Sequence, residues 1–461
     1  MRTDTNTQET PTLRLLLNLA WPIVISRSAQ VVIGFSDAAM VSRLGEDALA
    51  ATTTGSLNVF SFFILSMGIV FIVSSFASQL YGKGDFAGAR RYGWYGLSVA
   101  LFAQILGLVG VPILASALSH FSYTENVQAL MTDYMKIRLY AGGAAIGLEA
   151  LGNYYGGLGN TRLPMLSQIL AMVLNIGLNW VLIYGNLGAP ALGVKGAAWA
   201  SAISTIIAFV VLFAFFYTGF GARGGRQKSP LRAKELGRML RFGIPSGLNW
   251  FFEFAAFTFF INVVVGGLGT SVLAAFMAVM QINSIAFMPA FGLASSGAIL
   301  VGQAIGAKKH DQVPSIVRLT IGSAALWQGT AGLAYLLLPG LLIGAFTNTA
   351  STSQSFVQAG TRMLMLSSIW QLADATGIVL AEALRAAGDT AFCLWARLGV
   401  SWLVFVPGVL LTVRVFGGGD IAAVSWMAGY IMLLALILWL RFRGGAWRKL
   451  DLAGQGHEPI I

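Results

Sequence analysis

Polar and Gly/Pro positions cut the chain at intervals, and what lies between them is long and apolar. A helix that crosses hydrocarbon needs about 20 mostly apolar residues. The punctuation leaves twelve segments of that kind: 15–41, 50–78, 92–118, 134–157, 163–185, 195–220, 236–266, 273–303, 316–344, 357–384, 391–414 and 421–441. The pattern predicts an all-α integral membrane protein. Lys and Arg set the orientation of such a chain, because they stay on the cytoplasmic side. They gather in alternate connections: Lys83, Arg90 and Arg91; Arg223, Arg226, Lys228, Arg232 and Lys234, with Arg238 and Arg241 behind; Lys308, Lys309 and Arg318; and Arg441, Arg443, Arg448 and Lys449 at the end. The opposite connections hold little beyond Arg43, Lys195 and Arg414. Both termini are therefore expected in the cytoplasm.

Composition agrees. Of 461 residues, 56% are hydrophobic and 10% charged, against about 25% charged in soluble domains. Mean hydropathy is +0.74. This excludes a soluble globular protein and a disordered one. The net charge of +11 reads as positive-inside anchoring, so no nucleic-acid partner is expected. The single cysteine, Cys393, excludes a disulfide framework, a Cys-based zinc site and an iron–sulfur cluster. His120, His310 and His457 lie in or beside polar stretches, so no His-rich metal site is expected inside the apolar part. The polar first 14 residues lead into no cleavage signature, and the chain is expected to stay uncleaved. The 55 glycines suit close helix approach and bends, and none forms a nucleotide fingerprint.

The halves repeat. Leu44-Gly45, Leu49-Ala50-Ala51, Gly68 and Ser78-Gln79-Leu80-Tyr81-Gly82 are answered at an offset of 224 by Leu268-Gly269, Leu273-Ala274-Ala275, Gly292 and Gly302-Gln303-Ala304-Ile305-Gly306. Leu158-Gly159-Asn160-Thr161 matches Ala387-Gly388-Asp389-Thr390 at 229, and Pro22 pairs with Pro245. An offset of six spans is even, so the halves lie the same way up, as in parallel-repeat transporters. The predicted organisation is an N-terminal six-helix lobe over 1–221, a basic linker over 222–241 leading into the seventh span, a C-terminal lobe over 236–445 and a tail over 446–461.

Five carboxylates fall within the spans: Asp37, Glu149, Glu253, Asp374 and Glu382. Such groups are costly in hydrocarbon and tend to face a cavity, pair with a base or bind an ion. Asn175 and Asn179 stand four apart on one helix face, able to present amides to Asp37. Asn249 and Glu253 repeat that spacing in a Phe-rich span. Trp370 lies one turn before Asp374, and Gln281 adds a polar group at membrane depth. Asp37, Glu253 and Asp374 are the leading candidates for cation binding and coupling. Asn175, Asn179, Asn249, Gln281 and Trp370 are the supporting polar or aromatic wall. A carboxylate away from water can carry a proton, and two carboxylates with amide oxygens can hold Na⁺, for which Glu253 and Asp374 are the candidate ligands. Glu149, Glu382 and Arg27 are secondary candidates. Glu382 sits three residues before Arg385, where a local ion pair explains it. Arg27 is expected to pair with an acid on another helix or to line the cavity, and Arg397 is placed to snorkel toward the membrane surface.

With these motifs together, the chain resembles the multidrug and toxin extrusion (MATE) family, NorM-like branch, over about residues 12–445. The resemblance rests on Pro22, Gly34-Phe35-Ser36-Asp37-Ala38-Ala39-Met40, Ser78-Gln79-Leu80-Tyr81-Gly82-Lys83-Gly84, Asn175-Ile176-Gly177-Leu178-Asn179, Tyr184-Gly185-Asn186-Leu187-Gly188-Ala189-Pro190-Ala191-Leu192-Gly193 and Gly388-Asp389-Thr390. It implies twelve transmembrane helices in two pseudo-symmetric bundles around a V-shaped cavity, in the inner membrane of a bacterium. It implies a monomeric antiporter, in contact with membrane lipids, that exchanges H⁺ or Na⁺ for small lipophilic organic cations. No cofactor and no enzymatic activity are implied. Asp37 matches the family's N-lobe acid, Glu253 and Asp374 its C-lobe acids, and Asn175 and Asn179 the polar positions near the first. The span-five acid of the DinF-like branch is missing, and Arg27 departs from the family pattern. The competing reading is a flippase or exporter of lipid-linked saccharides or another amphiphile, which calls for a cavity rich in Arg and Lys. An intramembrane protease lacks its motifs here.

Overall fold

The computed structural model describes residues 12–120, 123–227, 229–346, 354–450 and 452–454. His457, Lys228, most of the polar N-terminal stretch and the end of the tail lie outside these. The described residues form α1 (Leu13–Val41), α2 (Glu46–Phe71), α3 (Val73–Lys83), α4 (Phe86–Leu118), α5 (Glu125–Tyr140), α6 (Gly142–Gly157), α7 (Arg162–Tyr184), α8 (Val194–Thr218), α9 (Ala233–Phe259), α10 (Thr270–Gly306), α11 (Val313–Leu337), α12 (Pro339–Gly344), α13 (Gln354–Ala387), α14 (Thr390–Leu398), α15 (Val406–Leu410) and α16 (Asp420–Arg443). No strand occurs among the described residues. π-helical turns extend α9 over Phe260–Val265 and flank α15 over Gly399–Phe405 and Leu411–Val415.

All twelve predicted segments are helical. Ten helical stretches among the described residues are long and apolar enough to cross a membrane. The two others differ from the expectation for visible reasons. The fourth segment breaks at Ala141 into helices of 16 residues each, and α11 carries Arg318 and Gln328. Pro22, Pro112, Pro245 and Pro289 lie inside helices. Proline removes one backbone bond, which neighbouring helices make tolerable in a membrane bundle.

The chain divides into two compact units, one spanning Pro22–Phe251, the other the described part of Met1–Trp21 with Phe252–Ile461. Both divisions fall inside helices, α1 and α9. In the first unit α7 packs on α8, α4 on α6 and α2 on α5. Its core is aromatic, with Phe76 stacked on Tyr92 at 4.1 Å and Tyr154 edge-on to Phe216 at 5.1 Å. There α2 also meets the first half of α9 backbone to backbone: a Cβ on Gly68 would lie 2.5 Å from Gly247 Cα. In the second unit α13 packs on α10, α11 and α16, around Phe260, Phe276, Trp370 and Phe405.

The repeat is written in the backbone. Gly45 (φ 114°, ψ 172°) precedes α2 and Gly269 (φ 108°, ψ 159°) precedes α10, 224 positions on. Each follows a short 3₁₀ turn. Gly84 takes φ 82° after α3, and its counterpart Lys308 takes φ 60°, the strained left-handed form that glycine adopts freely. The two halves thus keep one turn geometry with different residues. Gly84→Ala is expected to cost about 1 kcal/mol, since no atom lies within 4 Å of the added Cβ and only φ is at stake. Lys308→Gly, relieving the same conformation, should leave the thermal unfolding midpoint unchanged or raised. A midpoint lowered by Lys308→Gly would contradict this account.

Candidate functional site

The first candidate site is buried in the unit Pro22–Phe251. Asp37 projects from α1 and is 7% exposed, while Asn175 and Asn179 on α7 are 0% exposed. Asn179 Nδ2 donates to Asp37 Oδ1 at 2.6 Å and Asn175 Nδ2 donates to the same oxygen at 3.1 Å. The two asparagines link to each other at 3.2 Å. Ser201 on α8 completes the shell: its Oγ donates to Asp37 Oδ2 at 2.8 Å and accepts from Asn175 at 3.0 Å. Just beyond, Tyr184 donates to the Met40 carbonyl at 2.7 Å, fixing the end of α1 against α7.

Every hydrogen bond that Asp37 receives here comes from a neutral group. Among the described residues no Lys or Arg pairs with it. Asn179 Oδ1 is buried with no hydrogen-bond partner, so an unused acceptor lies beside the carboxylate. The hydrogen-bond donors are neutral, and the charge that reaches Asp37 from a neighbour is that of Arg138, which acts on it without bonding it; a carboxylate in an apolar bundle is expensive.

Arg27 finds its acid in Glu149 on α6, held through two nitrogens at 3.1 and 3.3 Å. Gln30 ties both, accepting from Arg27 at 3.2 Å and donating to Glu149 at 2.9 Å. Two of the secondary candidates therefore pair with each other. The 122 positions between them are why the sequence could not match them.

In the unit that begins at Phe252, Gln328 of α11 donates to Asp374 Oδ2 at 3.0 Å, and its own Oε1 is buried without a partner. Glu253 forms an ion pair with Arg397, their side chains 48% and 15% exposed. Both charges are close enough to act on Asp374, and Tyr430 bonds the Arg397 guanidinium. The expectation that Arg397 snorkels is corrected, because it turns inward to a carboxylate of α9. With both acids ionised, two acids and one fixed base leave this cluster one positive charge short of neutral.

The supporting residues divide. Trp370, 4% exposed, belongs to the apolar core and not to a wall. Gln281 is exposed and takes no part in the network. Asn249, one turn before Glu253 on α9, has a buried Oδ1 with no partner. Glu382 pairs with Arg385, as expected from their spacing. Ser201 and Gln328 are not among the sequence candidates. Ser201 sits in a helix of small residues where a serine is unremarkable, whereas Gln328, a mid-span glutamine, carried the same signal as Gln281. No three His, Cys, Asp or Glu side chains gather into a metal-binding group among the described residues.

A family model described as MatE matches residues 22–181 and 245–411, more than half of the chain. Its two blocks open on Pro22 and Pro245, the proline pair of the internal repeat. The chain is 28% identical over 412 residues to a probable multidrug resistance protein NorM of Neisseria meningitidis serogroup A, covering 87% of this chain and 88% of that protein. It is 28% identical to a protein of the same description from Pseudomonas putida, over 98% of each. It is also 28% identical to the multidrug resistance protein PmpM of Pseudomonas aeruginosa, over 86% of this chain and 83% of that one. Among solved structures, it shares its fold with a MOP superfamily transporter from Pyrococcus furiosus (TM-score 0.83, 21% identity, 95% and 96% covered). The outward-facing form of a multidrug resistance MATE family transporter matches at TM-score 0.81 and 21% identity, with the same coverage. Membrane-length helices, a duplicated family match and these relatives lead to one conclusion: this multi-pass membrane protein belongs to the MatE family, the multidrug and toxin extrusion transporters, on its NorM-like branch.

Proposed function

We propose that the protein exports lipophilic organic cations, antibiotics among them, in exchange for H⁺ or Na⁺ by alternating access. The observation that carries this reading is Asp37, a carboxylate bonded, among the described residues, to the neutral side chains of Asn175, Asn179 and Ser201. A proton or Na⁺ arriving there neutralises it, and its departure restores the charge. In the second half, Asp374 and Glu253 bind cations, with Gln328 as the neutral oxygen beside Asp374. In this reading twelve helices cross the bacterial inner membrane as a monomer surrounded by lipid, with six in the lobe 1–221 and six in 236–445. The linker 222–241, the tail 446–461 and both termini face the cytoplasm. The multidrug names of the relatives support the substrate class.

Moving one charge through 100 mV yields about 2.3 kcal/mol, and about 1.4 kcal/mol is tenfold. One net charge per cycle therefore sustains roughly a fiftyfold substrate gradient. The flippase reading has less to support it, because Arg27 and Arg397, which it would use to grip a pyrophosphate, are each held by a carboxylate. The test is transport into inverted membrane vesicles, with ΔpH and a Na⁺ gradient imposed separately. One of the two is expected to drive uptake of a fluorescent cation. Uptake under neither would end the antiport proposal.

A further inference from the structure

Away from Asp37, the first unit holds a cavity of about 400 Å³ where α4 begins and α8 ends. Guanidinium groups of Arg90, Arg91 and Arg226 line it, with Trp94, Tyr217 and Ser229. That volume lies in the range that takes small molecules. We propose that this cavity binds a phosphate-bearing anion, supplied by the headgroup of an anionic phospholipid or as free phosphate.

The chemistry lies in how the three cations are used. Arg91 is spent: it holds Glu235 at 2.7 and 2.8 Å and donates to Ser229 Oγ at 2.7 Å. Tyr95 donates to Glu235 at 3.0 Å and accepts from the Arg232 backbone at 2.8 Å, so the chain after the cavity is tied down. Asp85, the other nearby acid, accepts from Gly88 N–H at 2.7 Å at the start of α4. Neither acid pairs with Arg90 or Arg226.

Arg90 is 5% exposed and lies 4.7 Å above the Phe216 ring. Its Nη2 donates to the Tyr217 carbonyl at 3.0 Å, and its buried Nη1 has no partner. Burying a guanidinium nitrogen with nothing to bond is costly; Nη1 is closed off as the side chain stands, and a shift of Arg90 toward the cavity it lines would bring that nitrogen to an anion there. Arg226 also lines the cavity, exposed, 4.4 Å from the Tyr217 ring centre and bonded to its hydroxyl at 3.0 Å. Gly219 holds it there: a Cβ on Gly219 would lie 2.5 Å from Arg226 N, so only glycine lets the segment fold back onto the end of α8. Two forked donors without a carboxylate, on rigid aromatic supports, match the tetrahedral oxygens of phosphate. The site lies at a helix end, where basic pockets between membrane helices meet lipid headgroups.

The test uses the full chain in neutral detergent. Native mass spectrometry counts bound short-chain phosphatidylglycerol and phosphatidylcholine, and calorimetry follows inorganic phosphate. Wild-type protein should prefer phosphatidylglycerol. Each guanidinium is worth roughly fivefold, so Arg226→Ala should cut the preference about fivefold and Arg90→Gln with Arg226→Ala about 25-fold. Arg90→Lys, which keeps the charge and loses the fork, should fall between. Phosphate binding abolished by the same substitutions, without a lipid preference, assigns the site to a soluble phosphate compound. Should Arg90→Gln fail to fold, the exposed Arg226→Ala alone decides. No anion preference in the wild type, or an undiminished one in Arg226→Ala, overturns the proposal.

Discussion

Asp37→Asn is expected to reduce cation-driven export to background while the protein still folds. The substitution keeps the volume of the side chain. The new amide oxygen can accept from Asn175 and Asn179, as Asp37 Oδ1 does. The new amide nitrogen faces Ser201, whose hydroxyl can rotate to accept instead of donating. The network therefore survives with its polarity changed at one bond. What is lost is the negative charge. A site that is neutral at all times has nothing to exchange with a proton or Na⁺. Ethidium efflux from cells and ion flux in vesicles should fall together, with the thermal unfolding midpoint near the wild-type value. Wild-type efflux in a folded Asp37→Asn protein would remove Asp37 from the mechanism. Ser201→Ala is a milder companion: it deletes one of three hydrogen bonds on the carboxylate, a change of about 1 kcal/mol, and should slow export without ending it.

The second large effect belongs to Glu253 and Arg397. Each single neutralisation strands one charge. Removing one partner of a fully buried pair costs about 3–5 kcal/mol. Here the Glu253 side chain is 48% exposed, so about 1–2 kcal/mol is expected for either Glu253→Gln or Arg397→Gln. Arg397→Gln also releases the hydroxyl of Tyr430 and leaves Asp374 and Glu253 as two uncompensated acids. The double variant removes both charges and should recover most of the stability. Its export should stay low, because Asp374 then stands alone. A double-mutant cycle on unfolding midpoints, read beside vesicle transport, separates the two roles. If the double variant regains transport with its stability, the pair is structural and Glu253 carries no cation.

Much of this was legible along the chain. The twelve helical segments follow from apolar blocks and their punctuation. The repeat at 224 positions reappears as matching backbone turns at Gly45 and Gly269. Asn175 and Asn179 could be placed on one face because helical spacing is local, and the Glu382–Arg385 pair was legible for the same reason. The partners that come from distant helices were not. Arg27 and Glu149 both stand out in the sequence, yet nothing in a linear pattern pairs residues on α1 and α6. Arg397 was read from its position near a helix end, and its true neighbour, Glu253, lies two helical hairpins earlier. Trp370 lies one turn before Asp374 and packs in the buried core; in a sequence, aromatic residues look alike whether they line a cavity or fill a core.

The sequence by itself determined that this is a duplicated helical membrane protein with a few costly carboxylates in its spans, because hydropathy, helical period and charge placement act over a turn or a span. Tertiary structure alone decided which of those charges are already compensated. Pairing depends on which helices touch and at what height, and that is set by packing between faces distant in the chain. It gave Asp37 neutral hydrogen-bond partners, gave Arg27 and Arg397 each an acid, and put two guanidinium groups that pair with no carboxylate among the described residues around a cavity at the end of α8.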